Sequence, residues 1–276
     1  MALTELFSVP IPAEASHPGG SIVCTTPAPK VYLLTFTSPS DNRLTPSFCR
    51  AMLTALDVVE LEHERGVVVT TSGIGKFYSN GLDLGLAMST PAFWEDSLYP
   101  LYRRLLTYPM PTVALVNGHA FAGGIMLAMH HDYRVFTGSG RGFICVNELE
   151  FGAPLPPPLS SIFRLKVSPP VYRTLVLEAR RFDAKASLDA GLVDAVGDLD
   201  AALGLIRDRN LVVKGTKGSY GLLKEEMYKE SVALLDVTGP NAAGQFSRPA
   251  SGDRRTADAK ERVRQWKESQ SQKAKL

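Results

Sequence analysis

Short runs of β-branched and aromatic residues alternate with segments of helical periodicity through the first half of the chain. Residues 31–36 and 67–70 are apolar runs of the kind that is buried on both faces of a parallel sheet. Between them, Thr45 and Pro46 supply a helix cap and a first-turn proline, and apolar residues then recur at helical spacing. The pattern predicts a β-α-β unit whose helix extends to about Glu64.

The same alternation continues along the chain. One helix and three strands are predicted, in this order, over residues 93–106, 112–116, 133–136 and 143–146. From Ser160 onward the pattern is mostly helical. The order of elements indicates a layered α/β fold.

Composition shifts suggest three regions. Pro, Gly and Ser are concentrated in residues 1–29, which are therefore predicted to form a flexible, loosely attached lead-in. Residues 30–200 contain the alternating elements and are expected to form the core. Residues 201–276 are predicted to be a helical C-terminal region that ends in a basic tail.

Composition also excludes several classes of protein. The 276 residues are 45% hydrophobic and 21% charged, which is typical of a globular fold. A net charge of +2 argues against a broad nucleic-acid surface, and the lack of a long apolar run argues against membrane insertion. The chain has only three cysteines, without metal-ligand spacing, which argues against a disulfide framework and against a zinc site. We expect a soluble protein of a reducing, intracellular compartment.

Three segments carry more specific information. Residues 77–84 read FYSNGLDL, residues 117–128 read NGHAFAGGIMLA, and residues 182–194 run from FDAK to AGLVD. In this order and spacing they resemble the crotonase (enoyl-CoA hydratase/isomerase) superfamily. The resemblance implies a crotonase-like spiral of β-β-α units with a helical C-terminal region that mediates trimerisation, and an acyl-CoA site within residues 30–200.

The resemblance also implies an oxyanion hole. When a thioester loses a proton beside its carbonyl, negative charge develops on the carbonyl oxygen, and preorganised backbone N–H groups stabilise it. Carried over by position, the donors are the amides of Leu82 and Gly123, the latter at the start of a helix. Glycines let the backbone approach closely at such a site.

One carboxylate of the family pattern is present and one is missing. In the hydratase branch two glutamates act on a water molecule, but Met126 occupies the first position. Glu148, four residues before Gly152, occupies the second. A single base suffices to move a double bond, so the pattern resembles the peroxisomal Δ3,Δ2-enoyl-CoA isomerases of fungi and plants. Apolar neighbours predict a raised pKa for Glu148.

The side chains and backbone expected along the substrate are taken from the same segments. They are Arg43, Lys76, Asn80, Gly81, Asp83, Met126 and Phe151. Arg43 and then Lys76 are the candidates for contact with the phosphates of CoA, and Asp83 is also expected to cap a short helix. No cofactor is expected, because CoA is part of the substrate.

Other chemistry-bearing residues favour structural roles. His130, His131 and Asp132 lie together, but adjacent side chains on a helix point apart, so no metal site is predicted and the histidines are expected to cap and pack the helix end. Glu150 competes with Glu148 but would face the opposite way on an extended segment. Cys145 is expected to be a small buried residue.

Two other functions stay open from sequence. One is an enoyl-CoA hydratase of fatty-acid or secondary metabolism, and the other is a CoA-binding protein without turnover. A dehalogenase or decarboxylase with the same oxyanion hole is a further possibility, since one fold hosts many reactions. The expected assembly is a homotrimer or hexamer.

The last three residues, Ala274, Lys275 and Leu276, resemble a variant of the Ser-Lys-Leu address of peroxisomal proteins. They predict recognition by the peroxisomal import receptor and a peroxisomal location, with the cytoplasm as the alternative.

Overall fold

A computed structural model of the protein describes residues 4–14, 16–137, 142–236 and 256–265. Ten strands are present in this part of the chain. Their bounds are β1 (Thr4–Ile11), β2 (Gly20–Ala28), β3 (Val31–Thr37), β4 (Val67–Ser72), β5 (Phe77–Ser79), β6 (Thr112–Val116), β7 (His119–Phe121), β8 (Tyr133–Phe136), β9 (Ile144–Cys145) and β10 (Ala195–Val196).

Helices connect and cover the strands. Twelve of them are α1 (Pro46–Glu62), α2 (Leu84–Ser89), α3 (Tyr99–Thr107), α4 (Gly123–Met129), α5 (Glu148–Phe151), α6 (Pro157–Lys166), α7 (Pro169–Leu177), α8 (Ala184–Asp189), α9 (Leu199–Asp208), α10 (Leu211–Gly215), α11 (Tyr220–Met227) and α12 (Lys229–Leu235). A π-helical turn, Trp94–Leu98, leads into α3, and residues 256–265 form a further helix.

The main sheet has seven strands in the order β1-β2-β3-β4-β6-β8-β10. Its first three strands are antiparallel, and the pairs from β3 to β10 are parallel. Leu34 and Phe36 of β3 pack into the larger core with α1, whereas Leu33 packs into a second core with α9. The sheet is therefore buried on both faces, which confirms the mixed α/β prediction.

The smaller sheet places the loops of the candidate site. Strands β5, β7 and β9 are parallel and lie side by side, so their carboxyl ends meet at one edge. The loops that follow them begin at Asn80, Ala122 and Val146. Because loops at the carboxyl ends of parallel strands commonly form binding sites, this edge is where a site is expected.

The prediction that residues 1–29 form a flexible, loosely attached lead-in is wrong for residues 4–11 and 20–28. These segments are β1 and β2, and β2 pairs with β3 in the centre of the antiparallel part. Pro10 is tolerated because β1 is an edge strand that pairs only with β2 among the described residues. The segment is thus part of the sheet, with Ile22 and Cys24 buried in the core.

The predicted boundary at residue 200 is also wrong, because it falls inside α9. That helix packs on the main sheet through Ala202, Leu205 and Ile206. Farther on, Lys224 of α11 is buried and forms an ion pair with Asp132, with 2.8 Å between its Nζ and an Oδ atom. The helices up to α11 are therefore continuous with the core.

The C-terminal tripeptide, residues 274–276, lies outside the described residues. In the part of the chain that the structure covers, no helix combines the length and apolar character needed to cross a membrane.

Candidate active site

A cavity of about 970 Å³ opens at the edge where β5, β7 and β9 end. Its wall is made by segments that are far apart in sequence. They include residues 16–18, 39–41, 43, 80, 82–84, 122–123, 126, 147–148, 151, 153–155 and 159. A cavity of this size is large enough for a small organic ligand.

The two predicted oxyanion loops touch each other in this cavity. Gly81 has a φ of +77°, and a Cβ there would lie 2.8 Å from the Gly123 nitrogen. Glycine is therefore required both by the backbone conformation and by the close approach. Among the described residues, the N–H groups of Leu82 and Gly123 have no hydrogen-bond acceptor. The structure thus brings to the cavity wall two main-chain donors that are unpaired within the described part of the chain.

Gly123 is the first residue of α4, so its amide is one of the donors that a helix leaves free. The approach of this helix is fixed by the next glycine, because a Cβ on Gly124 would lie 2.1 Å from the Ser79 carbonyl oxygen. The Tyr102 hydroxyl also donates a 3.1 Å hydrogen bond to the Gly123 carbonyl oxygen. The start of α4 is therefore in contact with both β5 and α3.

Glu148 lines the same cavity as Leu82 and Gly123. It is the first residue of α5 and is only 9% exposed. Its Oε2 is buried without a hydrogen-bond partner in the described part of the chain. Burial raises the pKa of this carboxyl to about 7, although a hydrogen bond to its own backbone acts in the opposite direction. The predicted rise in pKa is therefore present, and desolvation is its main cause.

Met126 also lines the cavity and is 1% exposed. Its thioether occupies the position on α4 where a second carboxylate was expected for hydration. The other carboxyls in the cavity wall are engaged elsewhere: Asp41 accepts hydrogen bonds from Arg43 and Asn80, and Asp83 from the Leu86 amide. Glu148 is the one cavity carboxyl with a buried, unpaired oxygen among these residues.

Most of the predicted substrate residues lie in the cavity wall. Arg43, Asn80, Asp83 and Phe151 line it, and Asp83 also caps α2 as expected. Lys76 does not line it. Lys76 is exposed and directly precedes β5, at the end of the strand away from the cavity. Its ammonium lies 5.3 Å from the centroid of the Phe77 ring. The expectation that Lys76 approaches the substrate is thus not met in this structure.

From the sequence, Glu150 is predicted to lie on an extended segment and to face away from Glu148. The segment from 148 to 151 is a short helix rather than extended chain, so the reason given for its orientation is wrong. Glu150 nevertheless points away from the cavity, because it pairs with Arg181 at 3.2 Å and does not line the wall. Glu148 is therefore the one carboxyl of residues 148–151 that lines the cavity.

The cavity wall contains residues that sequence reasoning missed. Ser16, His17 and Pro18 lie in the loop between β1 and β2, and His17 Nε2 is 3.0 Å from Asp83 Oδ2. This contact lowers the pKa of Asp83, after the larger effect of the hydrogen bond from the Leu86 amide. A histidine in a Pro- and Gly-rich segment gives no sequence signal of such a contact.

The two histidines and the cysteine that the sequence singled out are buried residues with structural roles. His130 and His131 are buried and hydrogen-bonded to carbonyls of α4, and burial lowers the pKa of each to about 3. They pack the helix end, as expected. Cys145 is buried and its pKa is raised by desolvation to about 11. Within residues 4–14, 16–137, 142–236 and 256–265, no group of three or more acidic, histidine or cysteine side chains is placed to hold a metal ion.

Sequence comparison defines the class of protein to which this fold and site correspond. The model of the enoyl-CoA hydratase/isomerase family matches residues 28–233. The chain belongs to this family, which is the crotonase superfamily inferred from its motifs.

Individual proteins of known name or structure are similar to the chain over most of their length. The chain is 32% identical to the peroxisomal enoyl-CoA delta isomerase 1 of Arabidopsis thaliana over 78% of this chain and 92% of the relative. It is 33% identical to a putative enoyl-CoA hydratase of Thermus thermophilus over 81% of this chain and 88% of the relative. The crystal structure of human mitochondrial delta3-delta2-enoyl-CoA isomerase has the same fold, with a TM-score of 0.71, 22% identity, and 90% and 98% coverage.

Proposed function

We propose that this chain moves the double bond of a 3-enoyl-CoA to the 2-position. The observation that carries the proposal is the asymmetry of the cavity. Glu148 has a carboxyl oxygen without a partner among the described residues, while Met126 stands at the second acidic position of the family pattern. Isomerisation needs one base, whereas hydration needs a second group to orient water. The isomerase name of the Arabidopsis relative agrees with this choice.

In the proposed reaction Glu148 removes a proton from C2 of the thioester. The electrons of that C–H bond pass into the carbonyl, and the amides of Leu82 and Gly123 bind the resulting oxyanion. The double bond between C3 and C4 then takes up the proton at C4 from the Glu148 carboxylic acid, and the enolate collapses to the conjugated 2-enoyl thioester. A pKa of about 7 suits both proton removal and proton return.

A direct assay tests the proposal. Purified protein is offered a 3-enoyl-CoA, and in a second reaction a 2-enoyl-CoA in water. We expect conjugated thioester from the first and no hydroxyacyl-CoA from the second. Vigorous hydration of the 2-enoyl-CoA would instead support the hydratase function that the name of the Thermus relative suggests, and binding without either product would support a CoA-binding protein.

Two substitutions sharpen the test. Glu148→Gln keeps the size of the side chain but removes the base, so turnover should be lost while CoA binding is kept. Met126→Glu places a second carboxylate in the cavity wall and should introduce some hydration of 2-enoyl-CoA. Isomerase activity of Glu148→Gln near that of the wild type would exclude Glu148 as the base.

We also propose a role in the β-oxidation of unsaturated fatty acids, in a peroxisome, as a homotrimer or hexamer. Support comes from the peroxisomal name of the relative and from exposed apolar side chains on α11, namely Leu222, Leu223 and Met227. Light scattering of the purified protein measures the assembly. Deleting residues 274–276 from a tagged protein should abolish peroxisomal import, and unchanged import would refute recognition through that tripeptide.

A further inference from the structure

The Arg43 guanidinium is bound to the backbone of the loop that carries the Leu82 amide. Its Nη1 donates hydrogen bonds to the carbonyl oxygens of Asn80, at 3.2 Å, and Leu82, at 2.8 Å. These carbonyls belong to the two peptide groups on either side of the Gly81–Leu82 peptide. One guanidinium nitrogen therefore holds both neighbours of the Gly81–Leu82 peptide, whose N–H has no acceptor among the described residues.

The Gly81–Leu82 peptide is itself fixed from the same turn. The Leu44 amide donates a 2.9 Å hydrogen bond to the Gly81 carbonyl oxygen. Since C=O and N–H point in opposite directions across a planar trans peptide, this bond directs the Leu82 N–H away from Leu44. The orientation of the donor is thus determined by residues 43 and 44 together.

The turn that contains Arg43 is rigidly attached to the sheets. Buried Asn42 donates hydrogen bonds to Ser72 Oγ at 2.6 Å and to the Tyr78 carbonyl oxygen at 3.1 Å. Asp41 accepts hydrogen bonds from Arg43 Nε at 3.0 Å and from Asn80 Nδ2 at 2.7 Å. The guanidinium is therefore oriented by a carboxylate that also binds the oxyanion loop, and it is paired in charge.

We propose that Arg43 is a positioning residue, which sets the orientation of the Leu82 amide toward a developing oxyanion. This inference rests on the proposed function and gives Arg43 a role other than the phosphate contact expected from sequence. A planar guanidinium is suited to the role because its Nε and Nη1 donate in fixed directions to Asp41 and to the loop carbonyls. The flexible ammonium of lysine cannot reproduce that pattern.

The two roles of Arg43 predict different kinetics. If Arg43 positions the amide, Arg43→Gln and Arg43→Lys should both lower kcat on the order of tenfold or more, with KM and CoA affinity unchanged. If Arg43 attracts phosphates, Arg43→Lys should behave like the wild type, and Arg43→Gln should raise KM and weaken CoA binding. Arg50→Gln is the matched control, since Arg50 is exposed on α1 and does not line the cavity.

A second readout does not depend on isomerase activity. Acetoacetyl-CoA forms an enolate that absorbs in the near ultraviolet, so its spectrum when bound measures stabilisation of an oxyanion. We expect Arg43→Gln and Arg43→Lys to reduce the enolate signal at saturating ligand, while CoA alone binds as it does to the wild type. Circular dichroism of each variant verifies that it is folded.

The outcomes separate the two proposals. An undiminished enolate signal and an unchanged kcat in both variants would overturn the positioning role, as would full rescue by Arg43→Lys. If the wild type binds the enolate but does not isomerise a 3-enoyl-CoA, the proposed function fails. In that case the loss of enolate signal in the Arg43 variants still supports the positioning role.

Discussion

Glu148 is buried, its Oε2 has no hydrogen-bond partner in the part of the chain that the structure describes, and its burial raises its pKa. Because the proposed base must be ionised to act, we expect activity to follow the deprotonation of this carboxyl, whose pKa is raised to about 7. We expect kcat/KM for 3-enoyl-CoA to rise with pH to a plateau, and to be about tenfold lower at pH 6 than at pH 8. A pH–rate profile measures this. A flat profile between these values would contradict Glu148 as the base.

The same burial has a cost for stability. A pKa raised from 4.5 to about 7 means that the folded state binds the proton more tightly than the unfolded state, so stability falls as pH rises through this window. Glu148→Gln removes the ionisable group, and its stability relative to the wild type should be about 2 kcal/mol more favourable at pH 8 than at pH 5. Urea unfolding at the two pH values measures the difference. Glu150→Gln, which removes an exposed and paired carboxyl, is the control.

Single residues were predictable from sequence where their spacing to glycines was informative. Glu148, Met126 and the two predicted oxyanion positions, Leu82 and Gly123, were identified in this way, and the structure gathers all four in one cavity. Lys76 was misplaced because spacing along a strand does not reveal which end of the strand faces the cavity. The hydrogen bonds of Arg43 were invisible because their acceptors are backbone carbonyls.

At the scale of elements, α2 directly follows the loop of residues 80–83, the first predicted oxyanion loop, and is capped by Asp83. Asp183 caps α8 in the same way, through a hydrogen bond from the Ala186 amide. Replacing either aspartate with alanine should cost about 1 kcal/mol of stability. We expect only Asp83→Ala to lower kcat as well, because it loosens the segment next to Leu82. Equal kcat in the two variants would show that α2 does not restrain the loop.

Elements were predictable where one pattern dominated. The apolar runs of β3, β4 and β6 and the periodicity of α1 identified them, since burial on both faces leaves little ambiguity. Strands β1 and β2 were missed because their prolines and the glycines between them resemble those of a loop. The prolines lie in the edge strand β1 or at an irregularity in the pairing of β2 with β3, and the glycines lie at the turn that connects β1 to β2. At these positions the hydrogen bonds of a regular strand ladder are not required. The helical α5 was missed because it has only four residues.

For the whole molecule, the ion pair of Lys224 with Asp132 joins the C-terminal helices to the core. Lys224 Nζ also donates a 2.8 Å hydrogen bond to the Leu105 carbonyl oxygen. Lys224→Met should destabilise the protein by about 3 kcal/mol, because Asp132 stays buried without its cation. Thermal or urea unfolding measures the loss, and adding Asp132→Asn should recover part of it. Lys229→Met, in an exposed pair with Glu226, should leave stability nearly unchanged, because water screens that pair.

The loop between β1 and β2 lies outside the region matched by the family model, yet it supplies His17 to the cavity wall. A recombinant protein trimmed to residues 28–233 would expose the backbone donors and acceptors of β3 along a new sheet edge, which favours aggregation. Chimeras with relatives would meet the same difficulty. Exchange of the matched region alone would combine the candidate-site loops of one parent with a cavity wall shaped for another, so substrate preference should travel with the first 27 residues as well.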